Sequence, residues 1–173
     1  LGVLAKSTFA NGNYFESGLR AGRASYDYSS NDLVTAAGAV NTSYDADNTY
    51  YGAQIGFGRV QAIHNQYKRD LYAKLFYNHQ NAADATLQGA GLGETYKFDS
   101  VDSLRARAGM RITKDLSNRN SWYAGLAYEY EFDGDASANV KGFSTETPSL
   151  GGGSGLIEAG YTYGGANDSF GTG

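Results

Sequence analysis

From Trp122 to Phe132 the chain alternates without a break: Trp122, Ala124, Leu126, Tyr128, Tyr130 and Phe132 interleave with Tyr123, Gly125, Ala127, Glu129 and Glu131. A repeat of two is the repeat of a β-strand with two unlike faces, and a helix cannot segregate such a row. One face here is apolar and aromatic; the other is small or acidic. The preceding segment repeats the pattern with opposite charge, Leu104, Ala106, Ala108, Met110 and Ile112 against Ser103, Arg105, Arg107, Gly109 and Arg111. Upstream, Phe15, Ser17, Leu19 and Ala21 alternate with Glu16, Gly18, Arg20 and Gly22, and Tyr51, Ala53, Ile55 and Phe57 with Gly52, Gln54, Gly56 and Gly58. Leu71, Ala73, Leu75 and Tyr77 alternate with Tyr72, Lys74, Phe76 and Asn78, and Ile157, Ala159, Tyr161 and Tyr163 with Glu158, Gly160 and Thr162. A weaker segment, Leu1 to Phe9, opens the chain. The pattern predicts an all-β protein of about seven strands, with an eighth starting near the terminus.

Composition narrows the class. The 173 residues include 24 Gly and 15 Tyr but one Pro, one Met and one Trp, which is too aromatic for a disordered chain and too glycine-rich for a helical bundle. A net charge of −4 supplies no basic field for a nucleic-acid backbone. The absence of Cys excludes disulfides, cysteine nucleophiles and thiolate metal sites. No apolar run approaches the roughly 18 residues of a transmembrane helix. No charged-then-apolar leader opens the chain, so a mature region or an excised piece is expected.

The connections carry more. Ala10–Asn13, His64–Lys68 and Leu116–Asn120 are short, whereas Ser30–Asn48 is long and polar and about Gln80–Lys97 and Gly134–Gly152 are long. Short and long alternate strictly, as in an outer-membrane barrel whose strands run up and down between tight turns and long external loops. Several alternating runs reach the ~9–11 residues of a tilted membrane-spanning strand. On this reading Trp122, Tyr128, Tyr130, Phe132, Tyr161 and Tyr163 face lipid as an aromatic girdle. A soluble antiparallel sheet with one face on its own core shows the same alternation; the loop rhythm and the aromatic strand ends favour the barrel.

Four blocks, in this order, carry a resemblance: GLRAGRASYDYSS (Gly18–Ser30), SLRARAGMRI (Ser103–Ile112), WYAGLAYEYEFDGDA (Trp122–Ala136) and GLIEAGYTYGG (Gly155–Gly165). The chain resembles the C-terminal translocator domain of autotransporters, secreted proteins of Gram-negative bacteria. The resemblance implies a twelve-stranded barrel with a helix in its lumen, a passenger N-terminal to that helix, and insertion by the outer-membrane assembly machinery. Outer-membrane lipid, the chain's own passenger and that machinery are the implied partners, and the outer membrane is the implied location. About seven strands are too few to close with that geometry, because strand number, tilt and shear are linked. Residues 1–173 are therefore expected to form a partial β-domain, an antiparallel up-and-down meander from an incomplete barrel without its lumen helix or last strands. Its free edges would pair with another copy, or the isolated piece would stay out of the membrane.

The candidate site is the inward row of charges. Arg105, Arg107 and Arg111 lie on one strand, Glu129 and Glu131 on the next and Glu158 on the third, with Glu16, Arg20 and Lys74 on inward rows upstream. Pairing across the Leu116–Asn120 turn would set the Arg row beside the Glu row as a cross-strand ladder. Two readings stay open: a hydrated lumen through which a chain passes, and simple locking of register inside a polar barrel. Catalysis has little support. Glu16, Glu129, Glu131 and Glu158 could cleave a passenger only by location, with no motif. His64 and His79 fall on opposite rims, which argues against a shared metal or a Ser-His-Asp relay. Asp45-Ala-Asp47-Asn48 and Asp133-Gly-Asp135 lack the distal Glu of a calcium loop, and Gly89-Ala-Gly91-Leu-Gly93 lacks the setting of a dinucleotide loop. Gly151–Gly155 reads as a flexible linker. No enzyme, cofactor, metal or nucleic-acid partner is expected. The alternatives are a small outer-membrane barrel acting as adhesin or envelope protein, and a soluble Tyr-rich β-sheet binding protein.

Overall fold

The computed structural model describes every residue except 36–37, 65, 90–92, 117–119, 141, 145–148, 150, 165–168 and 173. The middle of the Leu116–Asn120 turn, residues 90–92 of the glycine-rich stretch and parts of the last long connection and of the C-terminus thus lie outside the described residues. The elements are β1 (Gly2–Thr8), β2 (Asn13–Thr35), β3 (Gly38–His64), β4 (Tyr67–Gln80), β5 (Ala83–Thr86), β6 (Thr95–Phe98), β7 (Val101–Asp115), β8 (Asn120–Asp133), β9 (Ala138–Val140), β10 (Phe143–Ser144), β11 (Gly152–Gly164) and β12 (Ser169–Thr172).

Eight of them form one antiparallel meander in the order β1-β2-β3-β4-β7-β8-β11-β12. The sheet is open, with β1 and β12 as its edges. The eighth strand expected near the terminus is β12. At the first tight turn the Phe9 amide bonds to Asn13 and the Gly12 amide to Phe9. Gly12 sits there at φ 82°, with the Val60 carbonyl where a Cβ would stand.

The long connections differ from expectation. Ser30–Asn48 is not a loop: β2 and β3 run on as a hairpin, 23 and 27 residues long, paired down to Thr35↔Gly38 with one shift of register between Ser30 and Leu33. About 13 residues of each strand, roughly 40 Å, extend past the apolar band. Asp, Asn and Ser hide the strand by composition, but Tyr26, Tyr28, Val34, Val40, Thr42 and Tyr44 supply its β-formers, and Tyr28 stacks on Tyr44 with ring centroids 5.2 Å apart. The other two long connections fold into a small sheet, β10-β9-β6-β5. It docks on the extended hairpin, where Ser43 and Gln88 exchange backbone bonds and Asn48 donates to the Asn81 carbonyl at 2.7 Å. Thr42, Ala46, Asn48, Ala85 and Ala138 are buried in this region. Gly152–Gly155, expected as a flexible linker, is the first part of β11, paired with Tyr128–Glu131.

At the hairpin's base one face changes character within a single step. Phe15, Ser17, Leu19 and Ala21, facing Phe57, Ile55, Ala53 and Tyr51, give way to Arg23 and Ser25 facing Thr49 and Asp47. Ser25 and Arg23 each donate to Asp47 at 2.6 Å, and these bonds, the hydroxyl's first, hold its carboxyl below the ordinary aspartate range. Because the folded pKa is the lower one, this contribution is full above the unfolded value of about 3.9 and is lost as pH falls through the folded value. Wild-type protein is expected to lose hairpin stability on acidification below about pH 4 more steeply than Asp47→Asn. Amide signals of residues 23–49, followed by NMR against pH, check this; identical titrations would refute it.

Candidate functional site

In the main sheet the usual distribution is inverted. Among the described residues the only buried hydrophobics are Tyr14, Ala46, Ala85 and Ala138, while Leu126, Phe57 and Ile157 are 60%, 63% and 86% exposed. Glu16, by contrast, is only 7% exposed. The sheltered face is therefore the polar one and the open face the apolar one. In water that arrangement is unstable, since each large side chain forgoes about 1.5–3 kcal/mol of burial and soluble monomers rarely expose apolar patches beyond a few hundred Å².

The charges converge on the sheltered face. Arg105 is opposite Glu131 and Arg107 opposite Glu129 in the β7–β8 register. Arg107 lies 2.7 Å from Glu129, and Arg105 lies 3.3 Å from Glu129 and 3.5 Å from Glu131. Arg111 grips Glu158 with two bonds, 2.8 and 2.7 Å. Lys74 meets Glu16 at 2.6 Å. Among the described residues Arg20 binds no carboxylate; it donates to the Asn78 side-chain oxygen.

Three of these bridges leap over a strand, and a glycine makes each leap feasible. Arg111 on β7 and Glu158 on β11 both lie opposite Gly125 on β8. Lys74 on β4 and Glu16 on β2 both lie opposite Gly56 on β3, and Arg20 and Asn78 both lie opposite Gly52. A Cβ on Gly125 would approach Glu158 Oε1 to 2.5 Å, and one on Gly56 would approach the Glu16 side chain to 2.8 Å. The same device seats the tyrosines: Tyr14 lies over Gly58, Tyr50 over Gly22, Tyr72 over Gly109 and Tyr123 over Gly160, each across its register pair. Glycine thus holds space on the polar face, and an aromatic ring restores packing over it.

Sequence reasoning missed several partners. Tyr14 donates to Asp70 at 3.0 Å, Ser103 donates to Glu131 at 2.9 Å, and the Arg105 and Arg107 guanidiniums lie 5.8 and 5.1 Å from the Phe76 ring centre. Ser103, Glu131 and Phe76 stand in rows already read as inward, and Tyr14 and Asp70 one step before the rows that open at Glu16 and Tyr72, so parity along each strand was the available signal. The aromatic row spreads over the height of the open face. Trp122 pairs with Tyr161 beside Tyr163 at the short-turn end, Tyr130 and Phe132 pack 4.9 Å apart towards the other, and Tyr128 stands between. His64 and His79 end at opposite rims; His79 contacts Asp102 at 2.9 Å and stacks on Tyr51.

Glu129 serves two arginines, so its removal should be felt beyond one pair. A double-mutant cycle of Arg107→Leu and Glu129→Leu is expected to give a coupling of about 1 kcal/mol, near the upper end for partly solvated pairs. Urea unfolding in detergent measures it, and a coupling of zero would remove the ladder from the forces that fix register.

A one-layer antiparallel sheet with an apolar open face and an ion-paired sheltered face is the wall of a transmembrane β-barrel. The model of the autotransporter beta-domain family matches residues 1–172, and the chain belongs to that family. No curated protein and no solved structure matches it. The family's members are translocators of the bacterial outer membrane, not a catalytic family.

Proposed function

We propose that residues 1–173 act as one translocator unit, the wall of an outer-membrane barrel through which an N-terminal passenger reaches the cell surface. The observation that carries this reading is the inversion of polarity, with Glu16 sheltered while Leu126 and Ile157 lie open. The apolar rows meet lipid. Trp122 to Phe132 spans about 33 Å of strand, or about 25 Å of height at a tilt near 40°, the height of an outer-membrane apolar band. Arg105, Arg107, Arg111, Glu129, Glu131, Glu158, Glu16, Arg20 and Lys74 line the lumen. Their pairing leaves a hydrated wall that holds neither strong charge nor sticky apolar surface against a passing chain. The tight turns then face the periplasm, and the extended hairpin with its small sheet stands outside the cell. The assembly machinery inserts the domain, and the edges β1 and β12 pair with further strands or with another copy.

The test uses the absence of native Cys. Gln54→Cys places a thiol on the polar face and Ala53→Cys places one on the apolar face of the same strand. A passenger stalled in transit and carrying its own Cys is expected to cross-link to position 54 and not to 53. Cross-linking at 53 alone, or a passenger reaching the surface with no link at 54, would refute a lumen on this face.

A further inference from the structure

The open apolar face carries a furrow. Its floor is Ala73 on β4 and Ala106 and Ala108 on β7, with Ala73 and Ala108 paired in register. Ile55, Phe57 and Leu75 wall one side and Tyr128 and Tyr130 the other, enclosing about 400 Å³. A second depression of about 690 Å³ shares Phe57, Ala73 and Ala108 and continues past Leu71 to Asn13, Phe9 and Arg59. Together they run obliquely across β8, β7, β4, β3 and β2, about 19 Å at ordinary strand spacing, towards the short-turn end.

A cation stands at that end. Arg59 is exposed, and among the described residues its guanidinium has no hydrogen-bond or ion-pair partner. Arg69, diagonal to it on β4, gives one bond to Gln61 at 2.6 Å and leaves its Nε without a partner. Lys114, on the same face of β7, lies over the Tyr67 ring at 5.0 Å. The carboxylates at this end point the other way: Asp70 takes the Tyr14 hydroxyl and Asp115 takes Lys68. Among the described residues the apolar face therefore ends in Arg59, Arg69 and Lys114 with no acid beside them. At its opposite end the same face carries Asp45, Asp47 and Asp102.

We propose that the furrow binds one glycerophospholipid of the leaflet at the short-turn side, one acyl chain over the alanine floor and the phosphate on Arg59, with Arg69 beside it. Charge selects the occupant: an apolar trough ending in unpaired cations fits a chain joined to a phosphate. A leaflet is only about 15 Å deep, so an oblique trough of this length takes one tilted chain. The proposal rests on the reading that the apolar rows face lipid.

Native mass spectrometry of the detergent-purified protein, titrated with dioleoylphosphatidylglycerol, tests it. One lipid is expected to be retained. Arg59→Gln should weaken retention about tenfold, the worth of one charge-assisted bond, and Ala108→Phe should weaken it by filling the floor. Trp122, the chain's one tryptophan, reports the underlying reading separately: in bilayers, brominated acyl chains should quench it equally in wild type and both variants. Equal retention by all three proteins overturns the site, as does retention of phosphate-free dioleoylglycerol as tightly as the phospholipid. Conversion of a dimer to a monomer by Ala108→Phe would assign the furrow to a second copy instead. An unquenched Trp122 in wild type would remove the lipid-facing rows and this site with them.

Discussion

Gly125→Val is expected to destabilise the folded protein by about 2–3 kcal/mol, whereas Gly155→Val, on the same β11 as Glu158, the residue opposite Gly125, leaves it nearly unchanged. At Gly125 a Cβ would stand 2.5 Å from Glu158 Oε1 and 2.8 Å from the Met110 carbonyl. The carboxylate can swing away, but only by abandoning Arg111; the carbonyl belongs to the strand ladder and moves only with β7. Overpacking of this kind costs about 1–3 kcal/mol, and loss of a partly exposed ion pair adds up to about 1 kcal/mol. At Gly155 no atom lies within 4 Å of the added Cβ, and valine suits a strand better than glycine. Urea midpoints in one detergent compare the two. Adding Glu158→Ala to Gly125→Val should recover part of the loss, because it removes the side chain that the new methyls meet. Equal midpoints for the two glycine variants would show that Gly125 is not a spacer.

That contrast marks where legibility ended. Alternation along each strand placed every charged residue of the ladder on its face, because period two survives any uncertainty in strand ends. Pairing across the β7–β8 hairpin was legible too, since a short turn fixes register to within a residue or two, and Arg107 does meet Glu129. The Arg111–Glu158 and Lys74–Glu16 bridges were not. They join strands that are not adjacent, so two registers must be known at once, and their common element is a glycine whose meaning is the absence of a side chain. Arg20 shows the same limit: its partner, Asn78, lies beyond Gly52 and carries no charge to announce it.

The long connections failed for another reason. Ser30–Asn48 is rich in Asp, Asn and Ser, the residues that mark turns, yet it pairs as strand down to Thr35 and Gly38. Outside an apolar band no face of that hairpin needs a continuous apolar row, so the alternation that reveals a membrane strand fades there. β5, β6, β9 and β10 are too short, at two to four residues, for a period to register. They are held by contacts between segments distant in sequence, such as Lys97 opposite Asn139.

Leu126→Arg is expected to destabilise the inserted protein by about 2–4 kcal/mol, while Tyr163→Arg at the short-turn rim costs about 0–1 kcal/mol. Leu126 stands mid-row on the open face, opposite Met110 on β7 and Ile157 on β11, and is 60% exposed. In water an exposed leucine can become arginine with a change within about 0.5 kcal/mol. In lipid the guanidinium must be dragged to a surface or hydrated where it stands, and the penalty rises with depth. Leu126→Phe keeps the face apolar and should stay near zero in either solvent. The three variants therefore measure what lies against this face, with refolding into vesicles as the readout. A depth-dependent penalty for arginine alone requires hydrocarbon at position 126, and the sheltered row of Arg105, Glu129 and Arg107 then has only the barrel interior left to face. A neutral Leu126→Arg would place water on the open face and withdraw the translocating wall.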